Sequence, residues 1–248
     1  MGLDIFGGLG IWVLTGLGVA SFLASFMTVA LGIGGGALVL AIMASLMPPA
    51  ALIPVHGVIQ LGSNLFRAAL MWRHIQWQTV GGFALGCALG VAIGGTVAVS
   101  LPGPVVLIGV GLFVIWSVLS KPPKWLSRFP FMTGAISSVL TMFFGATGVF
   151  VANFVKSLEL SRKPHVATHA TFMTLQHGLK IVAFGVLGFA FGPWLGVVGL
   201  MIVTGVLGTL AGRLVLERIT DHGFRKILDV LLVLISIRLI WQGLSGLI

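Results

Sequence analysis

The sequence predicts an all-α polytopic membrane protein, on three observations: an apolar composition, apolar stretches of membrane-spanning length, and an internal repeat. Of 248 residues, 58% are hydrophobic and 8% charged, with a mean hydropathy of +1.15; an ordinary soluble domain carries roughly 25% charged residues. A soluble fold of this length could not bury so much apolar surface. Ile11 to Leu31, Val80 to Val99, Val105 to Leu119 and Ile227 to Leu244 have few or no charges, and about 20 apolar residues cross a ~30 Å hydrocarbon core.

Taken in order, the chain opens on Met1-Gly-Leu-Asp4, which lacks a basic leader, so the first apolar segment is expected to be retained. The stretch 17–47 is interrupted by Gly32-Ile-Gly-Gly-Gly36 and is expected as a Gly-broken or re-entrant helix, ending at Pro48-Pro49. A helix from Pro54 to Trp72 stops at Arg73-His74, and the next two segments are separated by Leu101-Pro-Gly-Pro104. The run Lys121-Pro-Pro-Lys-Trp-Leu-Ser-Arg128 reads as a basic cytoplasmic linker, 121–129. Beyond it, 130–160 is interrupted at Gly145-Ala-Thr-Gly148, and later breaks fall at Leu160 to Pro164, Phe191 to Pro193 and Arg218 to Arg225. The total is about eight hydrophobic segments in one membrane domain, four in 1–120 and four in 130–248. The 36 glycines and 10 prolines suit closely packed, locally broken membrane helices. The single cysteine, Cys87, excludes an intrachain disulfide and reads as a small packing residue.

At one offset the sequence matches itself: Gly32 with Gly145, Gly35 with Gly148, His56 with His169, Gly86 with Gly199, Gly95 with Gly208, Thr96 with Thr209, and Ala98 with Ala211 differ by 113 (169 − 56 = 113). Arg67 and Lys180 share that offset, preserving a cation but not the residue. Such repeats are typical of secondary transporters. Basic residues cluster at 73–74, 121–128, 156–163 and 213–226, whereas 47–54, 100–104 and 188–193 have no Lys or Arg. The segment 130–160 has basic residues at both ends, so it would enter and leave on one side. If 17–47 does the same from the other side, the two repeats are inverted; a parallel repeat with a tilted helix is the alternative.

Between Pro54 and Trp72 the polar residues are His56, Gln60, Ser63, Asn64 and Arg67, at spacings of 4, 7, 8 and 11 from His56. At ~3.6 residues per turn these share one helix face. His169, Gln176, His177 and Lys180 repeat the pattern at 0, 7, 8 and 11, with Met173 in place of Gln60. An ionised side chain inside a bilayer costs ~3 kcal/mol or more, so each cation must face protein or water unless its stem reaches the interface. Asp4, Glu159, Glu217, Asp221 and Asp229 all lie near segment ends, which leaves an anionic ligand as the natural counter-charge. Gly34, Gly35 and Gly36, with Thr147 and Gly148, mark where backbone N–H groups and half-helix N-termini could receive that anion. His56 and His169 read as neutral hydrogen-bonding residues, with proton coupling as the alternative. Trp72, Trp77, Trp125, Trp194 and Trp241 lie near segment ends and read as interface anchors.

Leu31-Gly-Ile-Gly-Gly-Gly-Ala37 with its following Pro-containing loop, the helix ending over Arg67 to Trp77, and Phe143-Phe-Gly-Ala-Thr-Gly148 resemble the TauE/SafE sulfite and organosulfonate exporter family, of the 4-toluene sulfonate uptake permease type. The resemblance spans nearly the whole chain. It implies a multi-pass carrier in the bacterial inner membrane for sulfite, thiosulfate or an organosulfonate such as sulfoacetate. In this chain Ala146-Thr147 stands in place of a second glycine run, so the two half-sites need not be equivalent. The expected function is a secondary transporter working by alternating access, with export the expected direction and an anion channel as the first alternative. An intramembrane enzyme is the weaker one: there is no HExxH, no paired intramembrane Asp and no Ser with a matching base. No cofactor or metal is expected. The expected partners are a small anion and the lipid bilayer, not nucleic acid; the oligomeric state is open, a homodimer included.

Overall fold

The computed structural model describes residues 4–31, 34–98, 101–119, 128–145, 147–215 and 222–247. Among them the chain forms α1 (Ile11–Leu31), α2 (Gly35–Leu46), α3 (Pro49–Leu70), α4 (Val80–Ala98), α5 (Gly103–Leu119), α6 (Pro130–Phe144), α7 (Gly148–Ser157), α8 (Arg162–Val186), α9 (Leu195–Val215) and α10 (His222–Ser245), with no strand. The count is ten helices where the sequence reading has about eight segments. The difference lies at the two glycine interruptions, which split 17–47 and 130–160 into separate helices, each with a residue in the left-handed region at the break (Gly34, φ 100; Gly145, φ 79). Most of the expected linker at 121–129 lies outside the described residues, as do Ile33, Ala146 and the break at 216–221.

Ile11–Val29, Trp77–Gly95 and Gly192–Leu214 are long and apolar enough to cross a membrane. With 22 and 25 residues, α3 and α8 are also long enough, but both spend one face on buried polar side chains. Apolar side chains such as Trp12, Leu85, Val186 and Leu214 stand exposed on the outside, the arrangement expected of a surface facing lipid rather than water. Inside, Leu40, Met43, Leu52, Val55 and Met201 pack in one fully buried cluster around α2.

Glycine decides which helices approach most closely. Gly82, Gly86, Gly90 and Gly94 form a four-residue stripe on α4; a Cβ on Gly86 or Gly90 would collide with the carbonyl of Phe131 or Ala135, and Gly94 faces Val139 and Met142. These contacts advance together along both helices, so α4 and α6 run parallel. On α9, Gly205 meets Ser21 and Ser25, Gly208 meets Phe22, and Gly212 meets Phe26, so α1 and α9 are parallel as well. By the same reading α3 and α8 are antiparallel, with Gly57 against Lys180 and Gly178 against Leu61, and so are α5 and α10, with Gly243 against Ile108 and Gly111 against Ser236. Each of these four pairs takes one helix from before the linker and one from after it. Small residues allow such backbone approach where lipid offers no hydrophobic drive.

The helix α2 folds back along α1: Gly35 abuts Ala24, and a Cβ on Gly16 would lie 4.0 Å from Leu46. The turns after α2, α4 and α8, none with Lys or Arg, come together around one apolar cavity of about 300 Å³ lined by Pro49, Leu101, Gly188 and Phe189. The turn after α3, which carries Arg73, packs instead on the start of α8, where Gln76 N–H donates to Thr168 Oγ1 at 2.9 Å.

Candidate functional site

The polar stripes of α3 and α8 meet along the antiparallel contact. His56, Gln60, Ser63, Asn64 and Arg67 are buried on α3, and His169, Gln176, His177 and Lys180 on α8. The antiparallel register puts the cations at opposite ends of this seam. Lys180 lies against Gly57, where a Cβ would come within 2.7 Å of its Cε, while the Arg67 guanidinium is bonded at the level of Ser63 and Asn64, roughly 10 Å further along α3 at ~1.5 Å per residue. An ion the size of sulfite in contact with one cation therefore does not touch the other, although both belong to one polar seam.

Neither cation reaches bulk water: Arg67 is 2% exposed and Lys180 0%. Arg67 Nη1 donates to Asn64 Oδ1 at 2.9 Å and Nη2 to Ser63 Oγ at 3.2 Å, leaving Nε without a partner. Asn64 Nδ2 in turn donates to the Gln60 carbonyl at 2.7 Å and to Gln60 Oε1 at 3.1 Å. Lys180 Nζ has no hydrogen-bond partner. No carboxylate among the described residues is paired with either group. Taking an unpaired charge out of water costs several kcal/mol, so these groups call for a counter-charge.

The two histidines at the repeat offset hold the tips of the broken segments. His56 Nε2 donates to the Gly36 carbonyl at 3.1 Å and His169 Nε2 to the Gly148 carbonyl at 2.9 Å. A carbonyl only accepts, so each Nε2 carries the proton. Both bonds reach the first turn of a half-helix, α2 or α7, whose N-terminus faces the interior of the protein. His56 and His177 also meet edge to face, with ring centroids 5.9 Å apart.

Between the tips lies a cavity of about 20 Å³, lined from the first half by Gly34, Gly36, His56, Gln60 and Asn64, and from the second by Gly148, His169 and His177. An adjoining cavity of about 10 Å³ is lined by Arg67, Gln60, Ser63, Gly35 and Gly36 together with Ser21, Ser25 and Thr28 of α1. Volumes of this order hold about one water. The structure thus gathers most of the residues that the sequence singled out. Three of them do not line these cavities. Thr147 Oγ1 donates to Gln176 Oε1 at 2.7 Å, which in turn bonds into α6, and Lys180 lies at the far end of the seam. The α1 residues Ser21, Ser25 and Thr28 escaped the sequence reading, although Ser25 and Thr28 match Ser138 and Thr141 at the repeat offset (138 − 25 = 113; 141 − 28 = 113). Among the described residues, no group of three or more His, Cys, Asp or Glu could hold a metal ion.

The arrangement supplies hydroxyl, amide and guanidinium donors with a helix N-terminus around a small space, a donor set suited to an oxyanion. No curated protein and no solved structure matches the chain. A family model described as Sulfite exporter TauE/SafE matches residues 17–239.

Proposed function

The chain belongs to the sulfite exporter TauE/SafE family, and from that premise we propose that it is a secondary transporter carrying a small sulfur-containing anion across the bacterial inner membrane. Sulfite, thiosulfate and an organosulfonate such as sulfoacetate are the candidate substrates, and export is the proposed direction. The observation that carries this reading is the pair of buried cations, Arg67 and Lys180, on one polar seam with no carboxylate partner among the described residues. An anion at the glycine tips supplies the missing charge. The cavities there are about 20 and 10 Å³, so among the described residues no water-filled pore is open at the tips in this structure; saturation of flux with rising anion concentration separates a carrier from a closed channel.

Alternating access requires two states that exchange the exposed side, and an inverted repeat provides them. Helix ends support the repeat: α1 and α6 end at Leu31 and Phe144 (144 − 31 = 113), α2 and α7 begin at Gly35 and Gly148 (148 − 35 = 113), and α3 and α8 begin at Pro49 and Arg162 (162 − 49 = 113). The repeat unit in this reading is five helices, α1 to α5 and α6 to α10. The antiparallel course of α3 against α8 and of α5 against α10 supports inversion, and so does the separation of Lys- and Arg-free turns from those carrying Arg73, Arg162 and Lys163. The basic turns then lie in the cytoplasm.

The test is sulfite and thiosulfate binding by the purified chain in lipid nanodiscs. Arg67→Gln removes the cation that lines the cavity at the α2 tip and should abolish binding while the protein stays monodisperse; Lys180→Gln should weaken it. If Arg67→Gln binds like the parent, the site is wrong.

A further inference from the structure

One matched position differs between the two halves in a way that decides what can occupy each. Ser63 and Gln176 are 113 residues apart (176 − 63 = 113), and each precedes its cation, Arg67 or Lys180, by one helical turn. Ser63 is short. Its Oγ lies 3.1 Å from Ser25 Oγ and accepts from Arg67 Nη2 at 3.2 Å, and beside it remains the cavity of about 10 Å³. Two donors there are uncommitted: Arg67 Nε and one O–H of the Ser25 and Ser63 pair, which share a single bond between them.

In the second half Gln176, 0% exposed, spans the corresponding space. Its Nε2 donates to Ser137 Oγ at 2.8 Å and Ser138 Oγ at 3.2 Å, and its Oε1 accepts from Thr147 Oγ1 at 2.7 Å. These partners match Ala24, Ser25 and Gly34 of the first half (137 − 24, 138 − 25 and 147 − 34 all equal 113). A tethered amide thus joins α6, the α6–α7 tip and α8, where the first half leaves a void between α1, the α2 tip and α3. Lys180 Nζ, one turn away, is left without a partner.

We infer that Gln176 is a built-in plug: it fills the second-half counterpart of the Arg67 cavity, so the protein has one anion seat, formed by Arg67, Ser25, Ser63 and the N-terminus of α2. This rests on the reading that the cargo is an anion held at the tips. Lys180 acts on the seated anion through its field alone. The seat is contracted to the size of one water in this structure. Gln60, which lines both small cavities, is the side chain whose displacement merges them into a space for a sulfite-sized ion.

The experiment is calorimetric titration of the full chain in nanodiscs with sulfite, and with thiosulfate as a second probe. The parent should bind one anion per chain. Ser63→Gln, which builds the plug into the first half, should weaken binding about tenfold or more; Gln176→Ser should add a second site. The double variant S63Q/Q176S should return to one site, and that site should disappear when Lys180→Gln is added. A Gln176→Ser variant that stays at one site, with a double variant that binds nothing, overturns the plug. So does Ser63→Gln binding like the parent, an outcome that does not depend on whether Gln176→Ser folds. The underlying reading fails separately, if Arg67→Gln titrates like the parent; a parent that binds neither probe removes both.

Discussion

At the scale of single residues, His56 and His169 do the same structural work in two places. Each bridges a long helix to the first carbonyls of a half-helix, Gly36 or Gly148, and so fixes where the tip N–H groups point. A hydrogen bond of this kind contributes about 1 kcal/mol, and leaving buried partners unsatisfied costs more. His56→Ala and His169→Ala are each expected to lower stability by about 1–3 kcal/mol and to weaken anion binding as the tips loosen. Thermal unfolding paired with sulfite titration checks this. A variant with unchanged affinity would mean that the tip does not form the seat. The sequence exposes these residues through their shared offset, but which carbonyl each ring would meet depends on α2 and α7 folding back beside α3 and α8. Arg67 shows the same limit. Spacing from His56 puts it on the polar face, yet its position in the last turn of α3 leaves open whether it reaches the interface, and only packing buries it to 2% exposure.

At the scale of helices, glycine stripes set the packing, and matched glycines are not interchangeable. Gly86 lies so close to the Phe131 carbonyl that a Cβ would collide with backbone, whereas Gly199, its counterpart at the repeat offset, has nothing within 4 Å. Overpacking costs typically 1–3 kcal/mol, and a Gly to Ala change in open helix gains up to ~1 kcal/mol in propensity. Gly86→Ala should therefore lower the melting temperature of the detergent-solubilised protein, and Gly199→Ala should leave it level or raise it. Equal effects at both positions would contradict the parallel α4–α6 contact. The repeat in the sequence makes these two residues equivalent; the surroundings, α6 for one and open space for the other, separate them.

At the scale of the whole molecule, the α4–α6 and α1–α9 pairs interlock the halves, so that neither half packs as a separate body. Inversion makes a directional prediction. In a Cys87→Ala background, Arg73→Cys should react with an impermeant thiol reagent from the cytoplasmic side, and Ala190→Cys, exposed in the turn after α8, from the opposite side. Labelling of both from the same side would exclude the proposed topology.

Composition and segment length by themselves determined that this chain is a bundle of membrane helices, and helical spacing determined that His56, Gln60, Ser63, Asn64 and Arg67 share a face. Those properties follow from local rules, because helical periodicity and the requirement for about 20 apolar residues per span act along the chain. The broken segments were also legible, since closely spaced glycines, Gly32 to Gly36 in one and Gly145 with Gly148 in the other, weaken a helix wherever they lie. Tertiary structure alone decided that Arg67 and Lys180 sit at opposite ends of one seam, because that depends on the antiparallel crossing of α3 and α8. It alone brought Ser21, Ser25 and Thr28 to Arg67 and filled the matching space with Gln176, because which surfaces meet is set by the fit of side-chain volumes between helices distant in sequence.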